Sequence, residues 1–124
     1  MTKKRILMVG LDPSLVNFAA GSSLNAESVR AAGVAATQRL RALGHEVQDC
    51  LFDPGTQSEQ PLTDLLSRSA FDCIMIGAGL RALPEHTILF EKIINAIHRR
   101  APSASICFNP NPGNTAEAVL RWAE

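Results

Sequence analysis

The feature that most constrains this chain is a set of short, unbroken apolar runs separated by helix-like segments. Residues 5–11 read Arg-Ile-Leu-Met-Val-Gly-Leu, residues 71–76 read Phe-Asp-Cys-Ile-Met-Ile, and residues 104–108 read Ala-Ser-Ile-Cys-Phe. Apolar residues without alternation are what a strand covered on both faces needs, because neither side sees water. Residues 45–52 alternate only in part, as a strand at a sheet edge does.

The intervening segments carry the helical period. Over 26–43, Val29, Ala32/Gly33, Ala36, Leu40 and Leu43 fall on one face, with Asn25 as N-cap, Leu24 and Val29 as a hydrophobic staple, and Gly44 as the stop. A short helix is predicted from Pro61 or Leu62 to about Ser69, after the turn Asp53-Pro54-Gly55. A longer helix runs over 84–100 and closes at Ala101-Pro102, and a last one runs from Asn114 to the chain end. The alternation β-α-β-α-β-α-β-α with short connections implies a parallel sheet, right-handed crossovers and helices on both faces. The expectation is one doubly wound, flavodoxin-like α/β domain over 1–124. Its strand order is 2-1-3-4, with a half-Rossmann 3-2-1-4 as the alternative. Ligands of such sheets bind at the carboxyl ends of the strands. The loops 12–25, 77–83 and 109–114 converge there.

Composition narrows the function classes. The chain has 124 residues, 46% of them apolar, which supports one real core. Twelve basic and twelve acidic residues cancel, so no basic surplus points to nucleic acid or an anionic membrane. Cys50, Cys73 and Cys107 are far apart, each in an apolar run. That is the pattern of buried thiols in a reducing compartment rather than of a metal site. The apolar stretch after the basic start is too short for a signal peptide or a membrane span, which points to the cytoplasm.

Two glycine motifs bear on cofactors. Gly77-Ala78-Gly79-Leu80-Arg81-Ala82 matches G-x-G-x-x-A after a strand, the pattern that lets backbone approach a dinucleotide pyrophosphate. Against NAD, Pro84 places the following helix several residues late, the first strand lacks the fingerprint, and Asn109 stands where an acidic ribose partner belongs. Gly113-Asn114-Thr115 resembles the phosphate loop of flavodoxins. Against a flavin, that loop follows the last strand instead of the first, and the chain has no Tyr and a single Trp, Trp122. Asn114 and Glu117 form an Asn-x-x-Glu capping box that accounts for the motif without a ligand. The receiver-domain reading fails for want of an Asp at position 77 and of a Lys after the fourth strand.

The remaining candidates cluster at the same end of the sheet. Asp12 ends the first strand at the switch point, and the long loop after it carries Leu15, Val16 and Phe18. Arg81, beside two glycines, suits a phosphate or carboxylate. His86, in the first turn of the helix over 84–100, is a candidate general base. The expected ligand-binding set is Asp12, Gly77, Gly79, Arg81, His86, Asn109, Asn114 and Thr115, with no catalytic residue and no metal assigned. That helix also carries more apolar residues than one sheet face needs, which points to a homodimer.

The runs "IGAGLRALPEHTILFEKIINAIHRRAP" and "FNPNPGNTAEAVLRW" resemble short bacterial proteins of no assigned function. Gly-Ala-Gly-x-Arg-x-x-Pro-Glu-His is the most distinctive part. The resemblance implies a bacterial, cytoplasmic α/β domain and imports no chemistry. The expected function is binding of a small anionic, phosphate- or carboxylate-bearing ligand at the carboxyl end of the sheet. The alternatives are a non-catalytic homo-oligomeric interaction module and, third, an enzyme using His86.

Overall fold

Four strands, β1 (Arg5–Leu11), β2 (Glu46–Phe52), β3 (Cys73–Ile76) and β4 (Ser105–Phe108), pair all-parallel in the order β2-β1-β3-β4. The computed structural model describes residues 3–123. The flavodoxin-like order is the one found, and the half-Rossmann alternative is ruled out. Five helices cover the sheet: α1 (Ala26–Ala42), α2 (Gln60–Arg68), α3 (Ala78–Ala82), α4 (Thr87–Arg100) and α5 (Thr115–Leu120).

The apolar runs follow from the layers. β1 is central, so Ile6, Leu7, Met8 and Val9 are all buried. Alternate residues enter different cores. Leu7 and Val9 join Ile74 and Ile76 against Leu62 and Leu66 of α2 and Leu89, Ile93 and Ile97 of α4. Ile6 and Met8 join Cys73, Met75 and Cys107 against Ala36 and Leu40 of α1 and Ala116 and Val119 of α5. Burying each of the Val, Leu, Ile and Met side chains among them contributes about 1.5–3 kcal/mol. β2, at the edge, is buried only in part: Val47 enters one core and Cys50 and Phe52 the other, while Glu46, Gln48, Asp49 and Leu51 are exposed.

Several boundaries differ from the sequence reading. Asn25 does cap α1, and Ser28 completes the box by bonding back to the Asn25 N–H. Only Ala36 and Leu40 of α1 are fully buried, however, and Leu43 is exposed. The segment 77–83 is not a loop. Gly77 opens α3 directly, and the chain breaks at Leu83-Pro84 into a 3-10 turn, Pro84–His86, before α4 begins at Thr87. Leu83 precedes a proline and is extended there, the conformation a proline imposes on its neighbour. The last helix ends at Leu120, so Trp122 lies beyond it and is 56% exposed.

Candidate functional site

The carboxyl ends of β1 and β3 form the switch point, because the chain leaves β1 toward β2 on one side and returns to β3 on the other. The two ends are knit together there. The Gly77 N–H donates to Val9 O at 2.8 Å. Gly79 packs so close to β1 that a Cβ would sit 3.2 Å from Leu11 Cδ1. Neither glycine has a positive φ. Gly79 is therefore explained by close approach of α3 to β1, whereas a Cβ at Gly77 would make only ordinary contacts, with Val9 O at 3.5 Å and Gly10 Cα at 3.7 Å.

Arg81 is anchored. Its Nε donates to Ile76 O at 3.3 Å and its Nη2 donates to Asn109 O. Its guanidinium stacks 5.0 Å from the Phe108 ring, and Phe90 meets that ring edge-on. The side chain thus ties the ends of β3 and β4 and does not hang free over the cleft. Partial burial depresses its pKa without approaching neutrality. The ion pairs among the described residues are Lys3–Glu46, Arg5–Glu46 and Arg39–Glu117, so no carboxylate neutralises Arg81.

Asn109 is 4% exposed. Its Oδ1 accepts the Ala78 N–H at 3.0 Å and its Nδ2 donates to Thr115 Oγ1 at 2.9 Å. Thr115 is also buried, and its hydroxyl donates to Pro112 O at 2.9 Å. These two residues join β4, α3 and α5 and leave little capacity for a ligand. The capping box expected at Asn114 and Glu117 is not formed. Asn114 makes no side-chain cap bond, and Glu117 pairs with Arg39 at 2.8 Å. Asn111 does the capping instead, accepting the Gly113 N–H at 2.9 Å and opening a 3-10 turn at Pro112–Asn114. The signal was present in Asn111-Pro112-Gly113, where an Asn side chain mimics a turn carbonyl.

Asp12 closes an equivalent turn after β1. Its carboxylate accepts the Ser14 hydroxyl at 2.7 Å and the Ser14 N–H at 3.0 Å, and those two bonds lower its pKa. His86 is 4% exposed, with Nδ1 buried and without a partner among the described residues. The structure thus brings Gly77, Gly79, Arg81, Asn109 and Thr115 together. Asp12 is across the switch point, Asn114 is in the neighbouring turn, and His86 is at the start of α4.

The sequence reading passed over Phe108 as a stacking partner and the group around His45 at the opposite end of the sheet. Two concavities of about 490 and 790 Å³ lie away from the switch point. One is beside His45 at the amino-terminal end, and the other is between α2 and α4. Among the described residues no group of three His, Cys, Asp or Glu side chains could hold a metal, and no helix is long and apolar enough to cross a membrane. Comparison with known proteins finds no matching family model, no similar curated protein and no similar solved structure.

Proposed function

We propose that the domain binds a small anionic ligand, phosphate- or carboxylate-bearing, at the carboxyl end of its sheet, with Arg81 as anchor. One observation carries this reading: a half-buried guanidinium is fixed by two backbone carbonyls and has no carboxylate partner among the described residues. A charge held that way keeps its remaining N–H groups in one orientation, so an oxyanion meets a fork that has already lost its freedom. Asp12, Asn114 and His86 border this end, whereas Gly77, Gly79, Asn109 and Thr115 support it. An enzyme using His86 is the third reading.

Since Arg81 also ties β3 to β4, its removal is expected to lower stability. The test is therefore the ligand-induced shift within each variant. A thermal-shift screen of inorganic phosphate, nucleotides and small carboxylates is run on wild type and on Arg81→Lys, which keeps charge and loses the fork. Wild type gains stability with at least one anion, and Arg81→Lys binds it about tenfold or more weakly, the loss of roughly 1.5–3 kcal/mol for a charge-assisted bond. If no anion stabilises wild type, or both respond equally, the reading is wrong.

A second reading rests on the open edge of β4, where Phe108 is 40% exposed and Trp122, just past α5, is 56% exposed. Edges and apolar groups of this kind are usually covered. This favours a homodimer, and sedimentation at micromolar concentration showing only monomer rejects it. Three buried free thiols fit a reducing interior. With the resemblance to short bacterial proteins, the proposal is placed in a bacterial cytoplasm.

A further inference from the structure

At the amino-terminal end of the sheet, far from Arg81, His45 follows α1 and leads into β2. Its Nδ1 accepts the Lys4 N–H at 3.1 Å. A ring nitrogen that accepts carries no proton, so the neutral imidazole holds its proton on Nε2. That Nε2 is buried and has no acceptor among the described residues, in a residue only 4% exposed. A buried N–H without a partner is costly, and native proteins rarely keep one unless something outside the chain completes it.

His45 forms part of the lining of the open, shallow concavity of about 490 Å³. Arg5, Arg41 and Gln48 also line it, and the sole acidic residue among the lining residues is Glu46. That carboxylate is already occupied: one oxygen pairs with Lys3 at 3.0 Å and the other with Arg5 at 3.2 Å. Arg5 is further fixed by stacking 5.4 Å from the Phe71 ring. Arg41 donates to Val47 O at 3.1 Å through Nη2. It makes no ion pair among the described residues, although Asp49 feels its charge. The lining therefore presents donors in excess of acceptors and a guanidinium held by one carbonyl.

We propose that this concavity is a second binding site, taking a small oxyanion between the Arg41 guanidinium and the His45 Nε2–H, with Gln48 at its rim. The ligand class is a phosphate or a carboxylate, since both offer two acceptor oxygens to a guanidinium and a ring N–H. The site is independent of Arg81, which lies at the other end of the strands.

The test is NMR on 15N-labelled protein, following the histidine ring nitrogens and the Lys4 and Val47 amides. Inorganic phosphate forms one arm and succinate the other, each against chloride at equal ionic strength. The expected result is a saturable shift of the His45 Nε2 signal and of those amides with at least one probe. Arg41→Gln weakens that binding about tenfold or more, and Arg81→Lys leaves it unchanged. Arg41 is exposed, so Arg41→Gln keeps the fold and the test stands even if His45→Gln does not. The proposal is overturned if neither probe shifts His45 at tens of millimolar, which would leave a water as the Nε2 partner. It is equally overturned if Arg41→Gln binds as tightly as wild type.

Discussion

Replacing Asn109 by Ala tests whether the carboxyl end of the sheet is held by one side chain. Asn109 is buried, and it bonds the Ala78 N–H at 3.0 Å and Thr115 Oγ1 at 2.9 Å. The variant loses two hydrogen bonds, each contributing about 0.5–1.5 kcal/mol net, and leaves the part-buried Ala78 N–H without its acceptor. Thr115 keeps its bond to Pro112 O, so its hydroxyl is not orphaned. The sum is a loss of roughly 2–4 kcal/mol, or about 8–20 °C in Tm for a domain of this size. Urea unfolding followed by far-ultraviolet circular dichroism measures it, since Trp122 is too exposed to report on the core. A cycle with Thr115→Val separates the Asn109–Thr115 bond from the rest. The two variants share that contact, so their effects are expected to fall short of additivity by roughly 0.5 kcal/mol or more. An Asn109→Ala loss below about 0.5 kcal/mol, the scatter of ordinary surface substitutions, would refute the reasoning. Strict additivity in the cycle would refute the bond to Thr115.

Gly44 follows α1 with φ at +96°, so Gly44→Ala is expected to cost about 1–2 kcal/mol, read as a lower urea midpoint at unchanged slope. Burial pushes the Cys50 thiol up to about 11, with the Asp49 charge adding to it. The folded chain then keeps a proton that the unfolded chain releases from about pH 8.5 upward. That contribution is complete below this pH and is lost as pH rises toward 11. The stability of Cys50→Ala should fall less steeply over the same window, and parallel slopes would refute the assignment. Cys73 and Cys107 have sulfurs 3.6 Å apart, yet Cys73 lies opposite Ser105. Cys107 is thus two residues out of register on the parallel neighbour, at a Cα spacing of roughly 8 Å that a disulfide does not span without backbone movement. Mass spectrometry after treatment with oxidised glutathione should find no bond between them.

The element types were legible in the sequence because they depend on local period. Ile6-Leu7-Met8-Val9 has no polar side, so it had to be a covered strand, and the partial alternation of 45–52 marked an edge. Asn25 was legible as a cap because an N-cap acts within three residues. Asn114 shows where that logic stops: its spacing to Glu117 matched a capping box, but Asn111 captured the turn and Arg39, distant in the chain, captured Glu117. The glycines at 77 and 79 looked like a ligand cradle, and only the sheet order revealed that Gly79 lies against Leu11. Arg81 could be chosen from sequence as a charged residue in a glycine-rich turn. That its clamp is completed by Asn109 O, 28 residues on, and that His45 lacks a partner for Nε2 among the described residues, depends on groups distant in the chain. Periodicity and capping are short-range and can be read along the chain. Which donors remain unsatisfied is settled only when the strands take their order and bring distant carbonyls within reach.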